Sequence, residues 1–234
     1  MTIQYFDLAR NVDLARNVES QRVRNLEKPN VLRGLYDRFG KRLLDVTLVI
    51  LSAPFVIPLI ALLALLVALD GGRPIYSQAR LGQNGRVFRI WKLRSMVPDA
   101  DERLQEHLDH NANAREEWDL TQKLKVDPRI THFGCMLRKS SADELPQLWN
   151  VLVGEMSLVG PRPMMPFQRS MYPGDDYETM RPGITGPWQV SERNESSFAD
   201  RAKFDSHYRQ RVSLMTDLRL LVATVRVVFR GTGY

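Results

Sequence analysis

The sequence predicts an α+β protein, mostly α, in which one proline-broken re-entrant membrane helix precedes a soluble domain that is mostly helical with a small β-hairpin. Three observations predict it. An uncharged apolar run occupies Val46–Leu69, positive charge flanks that run on both sides, and a pair of β-rich arms around Gly82-Gln83-Asn84-Gly85 opens the remainder. The 234 residues and 44% apolar content suit one main core and a small appendage.

The organisation divides into a polar tail at 1–34, a membrane-embedded segment at 35–72 and a soluble domain at 73–234. DLARNV occurs twice in succession at 7–18, a six-residue period that fits no solenoid and reads as a solvated tail. The first thirty residues hold no apolar block, so no signal peptide is expected.

The run from 46 to 69 is 24 residues long, enough at ~1.5 Å per residue to cross hydrocarbon. Arg33, Arg38, Lys41 and Arg42 precede it, and Arg73, Arg80 and Arg86 follow it. Neither end therefore looks like the side that faces away from the cytoplasm. Pro54 and Pro58 each remove a backbone hydrogen bond inside the helix, and a Ser52 hydroxyl is a local partner for a freed carbonyl. A helix bent at one of them enters and leaves on the same side. A kinked single-pass helix is the competing reading, and the sequence leaves it open.

Residues 75–96 read as the hairpin, with Lys92 and Arg94 closing its second arm. A polar helix is expected over 98–124, with Leu104, Leu108, Trp118 and Leu120 as its apolar positions. ELPQLWNVLV reads as a short helix stopped at Gly154, and LVGPRP and MRPGITGPWQV as rigid turns presenting Arg162 and Arg181. Over 213–230, Leu214, Leu218, Leu221, Val222, Val225 and Phe229 share a face expected to pack on the core. A basic amphipathic helix on a membrane surface is the alternative.

Charge narrows the function. A net +6 suits an anionic partner. The single cysteine, Cys135, excludes an internal disulfide framework, and no Cys/His cluster offers a zinc site. A nucleic-acid binder would interleave its cations with exposed aromatics, a spacing that Trp91, Trp118, Trp149 and Trp188 lack.

Asp143 and Glu144 lie in SADELPQLWN, which matches an S-x-x-E capping box and on its own reads as helix capping. The surrounding cations tilt that reading. Lys92, Arg94, Arg129, Arg138, Lys139, Arg162 and Arg181 all sit beside Pro, Gly or element ends, and guanidinium groups match phosphate oxygens in a bidentate way. An ionised carboxylate among them can attack phosphorus while its neighbour, or the same group, holds Mg²⁺.

The stretches KRLLD, RLGQNGRVFRIWKLRSM, DPRITHFGCMLRKSSADELPQLWNVLVGEMSLVGPRP, RPGITGPWQV and TDLRLL resemble those of the bacterial sugar transferases, the monotopic phosphoglycosyl transferases, and within them the ExoY-like exopolysaccharide-initiating branch. The resemblance runs from about Lys41 to the C-terminus. It implies a cytoplasmic catalytic domain at the bacterial inner membrane that moves a hexose-1-phosphate from a UDP-sugar to polyprenyl (undecaprenyl) phosphate. Asp143 would be the nucleophile of a covalent phosphosugar-aspartate intermediate with release of UMP. Asp143 and Glu144 would be the catalytic and Mg²⁺-holding dyad, and Lys92, Arg94, Arg138 and Arg162 the phosphate contacts. Gln189, Arg193 and Asp217 match further positions of the family pattern and would be substrate contacts as well. UDP-galactose and UDP-glucose are both admitted, nucleic acid is not a partner, and self-association into a homo-oligomer is left open. The chain departs from the family where Ser191-Glu192-Arg193 replaces a Gly-Arg step, and where no Ser-Pro pair marks the helix break. A catalytically silent membrane scaffold is the rival, disfavoured because both acids and Lys92, Arg138 and Arg162 are present.

Overall fold

The computed structural model describes residues 34–69, 72–121, 124–191 and 197–230, without the side chains of 229 and 230. The tail and its repeat, Arg33, Glu192 and Arg193 lie outside the described residues. The architecture is mostly helical with one small antiparallel hairpin and one long apolar helix.

A π-helical turn at Tyr36–Gly40 leads into α1, Lys41–Leu69, which keeps both Pro54 and Pro58 inside one continuous helix. The Ser52 hydroxyl donates to the Val49 carbonyl at 3.0 Å, so it does not serve the Ile50 carbonyl that Pro54 frees. Both ends of α1 are fixed to the rest of the protein. Near the start, Lys41 is buried, Arg42 donates to the Val151 and Leu152 carbonyls, Asp45 accepts from the Leu158 N–H at 2.9 Å, and Val49 packs with Phe88, Ile90, Val151 and Met156. Near the end, Val67 packs against Leu93 and Leu137 at 2% exposure, and Arg94 Nη2 donates to its carbonyl at 3.1 Å. Between these anchors Leu51, Phe55, Ile57, Leu62 and Leu65 are exposed, Phe55 at 81%. An apolar surface of this extent calls for a cover.

β1 (Ile75–Leu81) and β2 (Val87–Leu93) pair antiparallel from Ile75 opposite Leu93 to Leu81 opposite Val87. Asn84 (φ 57°) and Gly85 (φ 71°) both take the left-handed conformation that turns the chain between them. Strand alternation then points Phe88, Ile90 and Lys92 to one face, so the residues that build the core also carry Lys92 to its edge. Asn150, fully buried, bridges the open side of β2, accepting from the Trp91 N–H and donating to the Arg89 carbonyl.

The polar helix expected over 98–124 is two helices, α2 (Ala100–His110) and α3 (Ala112–Thr121). Asn111 separates them because its Oδ1 accepts from the Ala114 N–H at 3.1 Å, starting a new helix. Leu104, Leu108, Ala114, Trp118 and Leu124 pack together, whereas Leu120 faces outward. α4 (His132–Lys139) follows, begun by Thr131, whose side chain accepts from the Gly134 N–H. α5 (Leu148–Val153) ends at Gly154, φ 91°.

The two segments read from sequence as turns contain strands as well. β3 (Ser157–Val159) and β4 (Gly183–Thr185) form a parallel pair, and a Cβ on Gly160 would stand 2.3 Å from the Arg181 carbonyl oxygen. That close approach fixes Gly160-Pro161 and so the departure of Arg162. α6 (Pro187–Val190) and α7 (Arg201–Arg211) precede α8, Leu214–Arg230. The α8 face expected to pack on the core is largely open: Leu214, Leu218, Val222 and Val225 are exposed, and Leu220 and Leu221 supply the packing.

Candidate active site

Ser141 adopts the left-handed conformation (φ 57°), reversing the chain after α4, and Asp143 and Glu144 follow in a 3₁₀ turn, Ala142–Gln147. The capping reading is overturned here. The Ser141 side chain makes no cap hydrogen bond, and only its carbonyl accepts from the Glu144 N–H, at 3.2 Å. A 3₁₀ turn places consecutive side chains about 120° apart, which separates the two carboxylates.

Both meet Lys92. Its Nζ donates to Glu144 Oε1 at 2.7 Å and lies 3.6 Å from Asp143 Oδ2. Arg162 Nη2 reaches the same Glu144 oxygen at 3.3 Å. Arg138 comes from α4, which can approach the end of β2 because residue 134 is glycine: a Cβ there would stand 2.0 Å from the Ser95 carbonyl oxygen. One turn later Arg138 Nε donates to Ser95 Oγ at 3.0 Å, with its charge acting on Asp143.

These surroundings tune the two acids in opposite directions. Burial works against ionised Glu144, but Lys92 and Arg162 outweigh it and push the carboxyl down to about 2. For Asp143, burial and then the negative Glu144 beside it outweigh Lys92, Arg138 and Arg162, and its carboxyl lies above the ordinary aspartate value. The cavity next to the dyad is lined by Arg80, Lys92, Glu144, Gln147, Arg162 and Ile184. A buried, poorly solvated carboxylate facing fixed cations can act as a nucleophile toward an anionic substrate.

The structure thus brings together Asp143, Glu144, Lys92, Arg138 and Arg162. It does not bring in Asp217, which is fully buried and accepts from Tyr36 Oη (2.7 Å), Lys41 Nζ (2.6 Å) and Tyr208 Oη (2.6 Å), tying α8 to the start of α1. Arg94 is engaged at the end of α1. Gln189 is buried against Gly186, with neither amide atom bonded among the described residues. Arg129 pairs with Asp127 and Arg181 with the Gly154 carbonyl, so both serve the fold. Sequence reading missed Arg80 as a site residue, and Gln147 and Arg201 altogether. The position of Arg80 in a strand facing Phe88 was the one available signal, while Arg201 lies in a polar helix whose pattern marks no inward face.

A family model described as "Bacterial sugar transferase" matches residues 36–231. The chain is 46% identical over 216 residues to the UDP-galactose-lipid carrier transferase of Erwinia amylovora, covering 92% of this chain and 45% of that protein. It is 44% identical over 197 residues to the exopolysaccharide production protein ExoY of Sinorhizobium fredii, with 83% and 87% covered. Against the UDP-glucose:undecaprenyl-phosphate glucose-1-phosphate transferase of Xanthomonas campestris pv. campestris it is 36% identical over 241 residues, with 98% and 47% covered. The chain thus spans about half the length of the first and third of these and most of the second.

Proposed function

Because the chain belongs to the bacterial sugar transferase family, we propose that it transfers a hexose-1-phosphate from a UDP-sugar to polyprenyl phosphate at the bacterial inner membrane, initiating exopolysaccharide synthesis. The observation that carries this reading is the buried Asp143–Glu144 pair facing Lys92, 3.6 and 2.7 Å away, and Arg162. The names of the relatives, UDP-galactose and UDP-glucose transferases to a lipid carrier, supply the substrate class.

In the first half-reaction an Asp143 carboxylate oxygen attacks the phosphorus that bears the sugar. The bond from that phosphorus to the bridging oxygen breaks, and UMP leaves with the electron pair. Lys92 and Arg162 face the negative charge that develops there, and Arg138 acts on Asp143 itself. In the second, a phosphate oxygen of the lipid attacks the same phosphorus and the Asp143 carboxylate is released. Two phosphoryl transfers in sequence need no oxidant or reductant.

Asp143 and Glu144 are also the residues that would hold Mg²⁺. Among the described residues no third His, Cys, Asp or Glu joins them, and a pair of carboxylates suits an ion that takes the rest of its shell from water and phosphate oxygens. When bound, the ion neutralises charge on the diphosphate.

The lipid acceptor requires the site to stand at the bilayer. A helix of 29 residues spans roughly 43 Å, yet both ends of α1 dock on the one domain while its middle is exposed and apolar. That supports a re-entrant anchor with the catalytic domain on the cytoplasmic side. The exposed apolar residues of α8, flanked by Arg219 and Arg226, add a second surface suited to the headgroup boundary. Cysteines placed at Arg38 and Arg73 in a Cys135→Ser background are expected to react with an impermeant maleimide from the cytoplasmic face alone. Labelling from opposite faces would contradict the re-entrant reading.

The function itself is tested with purified protein, polyprenyl phosphate, Mg²⁺ and a panel of UDP-hexoses. UMP and a lipid-linked sugar diphosphate should form together with one or more of the donors. Release of UMP without the lipid product, or no release with any donor, would count against it.

A further inference from the structure

Two of the arginines behind the dyad differ from the ion-paired structural arginines of the fold. Arg129 pairs with Asp127 at 2.6 Å, and Arg169 with Asp175 at 2.7 Å and Glu178 at 2.6 Å. Arg80 and Arg201 have no carboxylate within ion-pair distance among the described residues, and the Nε of each is buried without a hydrogen-bond partner. Arg80 makes one weak contact, from Nη1 to the carbonyl of its neighbour Ala79 at 3.5 Å. Arg201 is 8% exposed and held between two rings, its Cζ 4.3 Å from the Trp188 centroid and 4.4 Å from that of Phe198. Arg162 lies over the same Trp188 ring at 6.0 Å.

The three guanidinium groups repel one another. Burial first, and then the charge of Arg162, lower Arg80 to about 10 and Arg201 to about 9. The acid that acts most on Arg201 among the described residues is Asp205, which accepts from Tyr172 Oη at 2.8 Å and which burial raises to about 7, so it neutralises little. Leaving charges buried and unpaired is among the costliest arrangements a fold can hold. Planar guanidiniums fixed by stacked rings, with free N–H edges, match the oxygens of a phosphate. Arg80 and Arg162 line the cavity beside Glu144.

On the transferase reading, we infer that Arg80, Arg162 and Arg201 form one subsite for a phosphate monoester, in which Arg80 and Arg201 are binding residues that take no part in the bond making at Asp143. Two substrate groups have this chemistry: the phosphate that departs as UMP and the phosphate of the lipid acceptor. Arg162 touches both Glu144 and this cluster, so the occupant lies next to the phosphorus under attack.

The test measures binding of UMP, uridine and a short-chain polyprenyl phosphate to the full chain in detergent micelles, for the native protein, Arg80→Gln and Arg201→Gln. Each variant should bind one of the two phosphates about 10- to 100-fold more weakly. Weakened UMP binding with uridine unaffected assigns the subsite to the nucleotide, and weakened polyprenyl phosphate binding assigns it to the acceptor. Because each substitution removes an uncompensated buried charge, the ligand-free melting temperature should hold or rise. Native affinity for both phosphates in both variants, or failure of both variants to fold, would overturn the inference and leave the two arginines structural. If the native protein bound neither UMP nor polyprenyl phosphate, the transferase reading would itself fail.

Discussion

Asp143→Asn is expected to abolish UMP release, with a loss of at least about 10³-fold, because the amide lacks the negative oxygen that attacks phosphorus and the carboxylate lining the adjoining cavity, Glu144, is not free to replace it. Glu144 is held ionised by Lys92 and Arg162 and is occupied by both, so it is a poor substitute nucleophile. The substitution changes charge and leaves shape nearly unaltered, and removing one of two adjacent buried carboxylates relieves repulsion. The variant should therefore fold as stably as the native protein. The raised Asp143 value also sets the pH dependence. The group is reactive only when ionised, so kcat/KM should fall as pH drops through that raised value, at a pH above the one at which an ordinary aspartate would protonate. An acid limb at or below the ordinary carboxylate range would show that another group controls the step.

Asp217→Ala should cost about 3–5 kcal/mol of stability, since it leaves the ammonium of Lys41 buried without a counter-charge. Tyr36 and Tyr208 lose their acceptor in the same change. Thermal unfolding of the two proteins in the same detergent reads the difference. The double variant Lys41→Met/Asp217→Leu removes both charges and should recover most of the loss, along with UMP release. Full stability of Asp217→Ala with activity lost would instead return Asp217 to the substrate-contact role that the family resemblance implies. The effect is large because this one carboxylate joins α8, α7 and the start of α1, whose orientation toward the domain depends on it.

Local chemistry made part of this legible. The 24-residue uncharged run pointed to lipid while leaving its topology open, and the β-rich arms around Gly82–Gly85 located the hairpin, with Lys92 near the end of its second arm; that Lys92 faces inward came from the pairing. Asp143, Glu144, Arg138 and Arg162 stood out because rigid turns surround them. What stayed hidden depends on contacts distant in sequence. Nothing near Ser157 or Gly183 says that three-residue strands pair across them, since the pairing rests on the glycine-to-carbonyl approach at Gly160. Asn111 looks like any polar helix residue until its side chain accepts from Ala114. The apolar stripe of α8 was correctly seen as a stripe, but periodicity says that a face is apolar and not what covers it. Arg201 becomes visible as a site residue only when the fold stacks it between Trp188 and Phe198.

Mass spectrometry of protein incubated with a UDP-hexose and Mg²⁺, with the lipid acceptor withheld, tests the chemistry most directly. A hexose-phosphoryl adduct is predicted on the peptide that contains Asp143, discharged on adding polyprenyl phosphate and absent from Asp143→Asn. Rapid UMP release with no adduct, or an adduct on any other residue, would contradict the assignment of Asp143 as nucleophile.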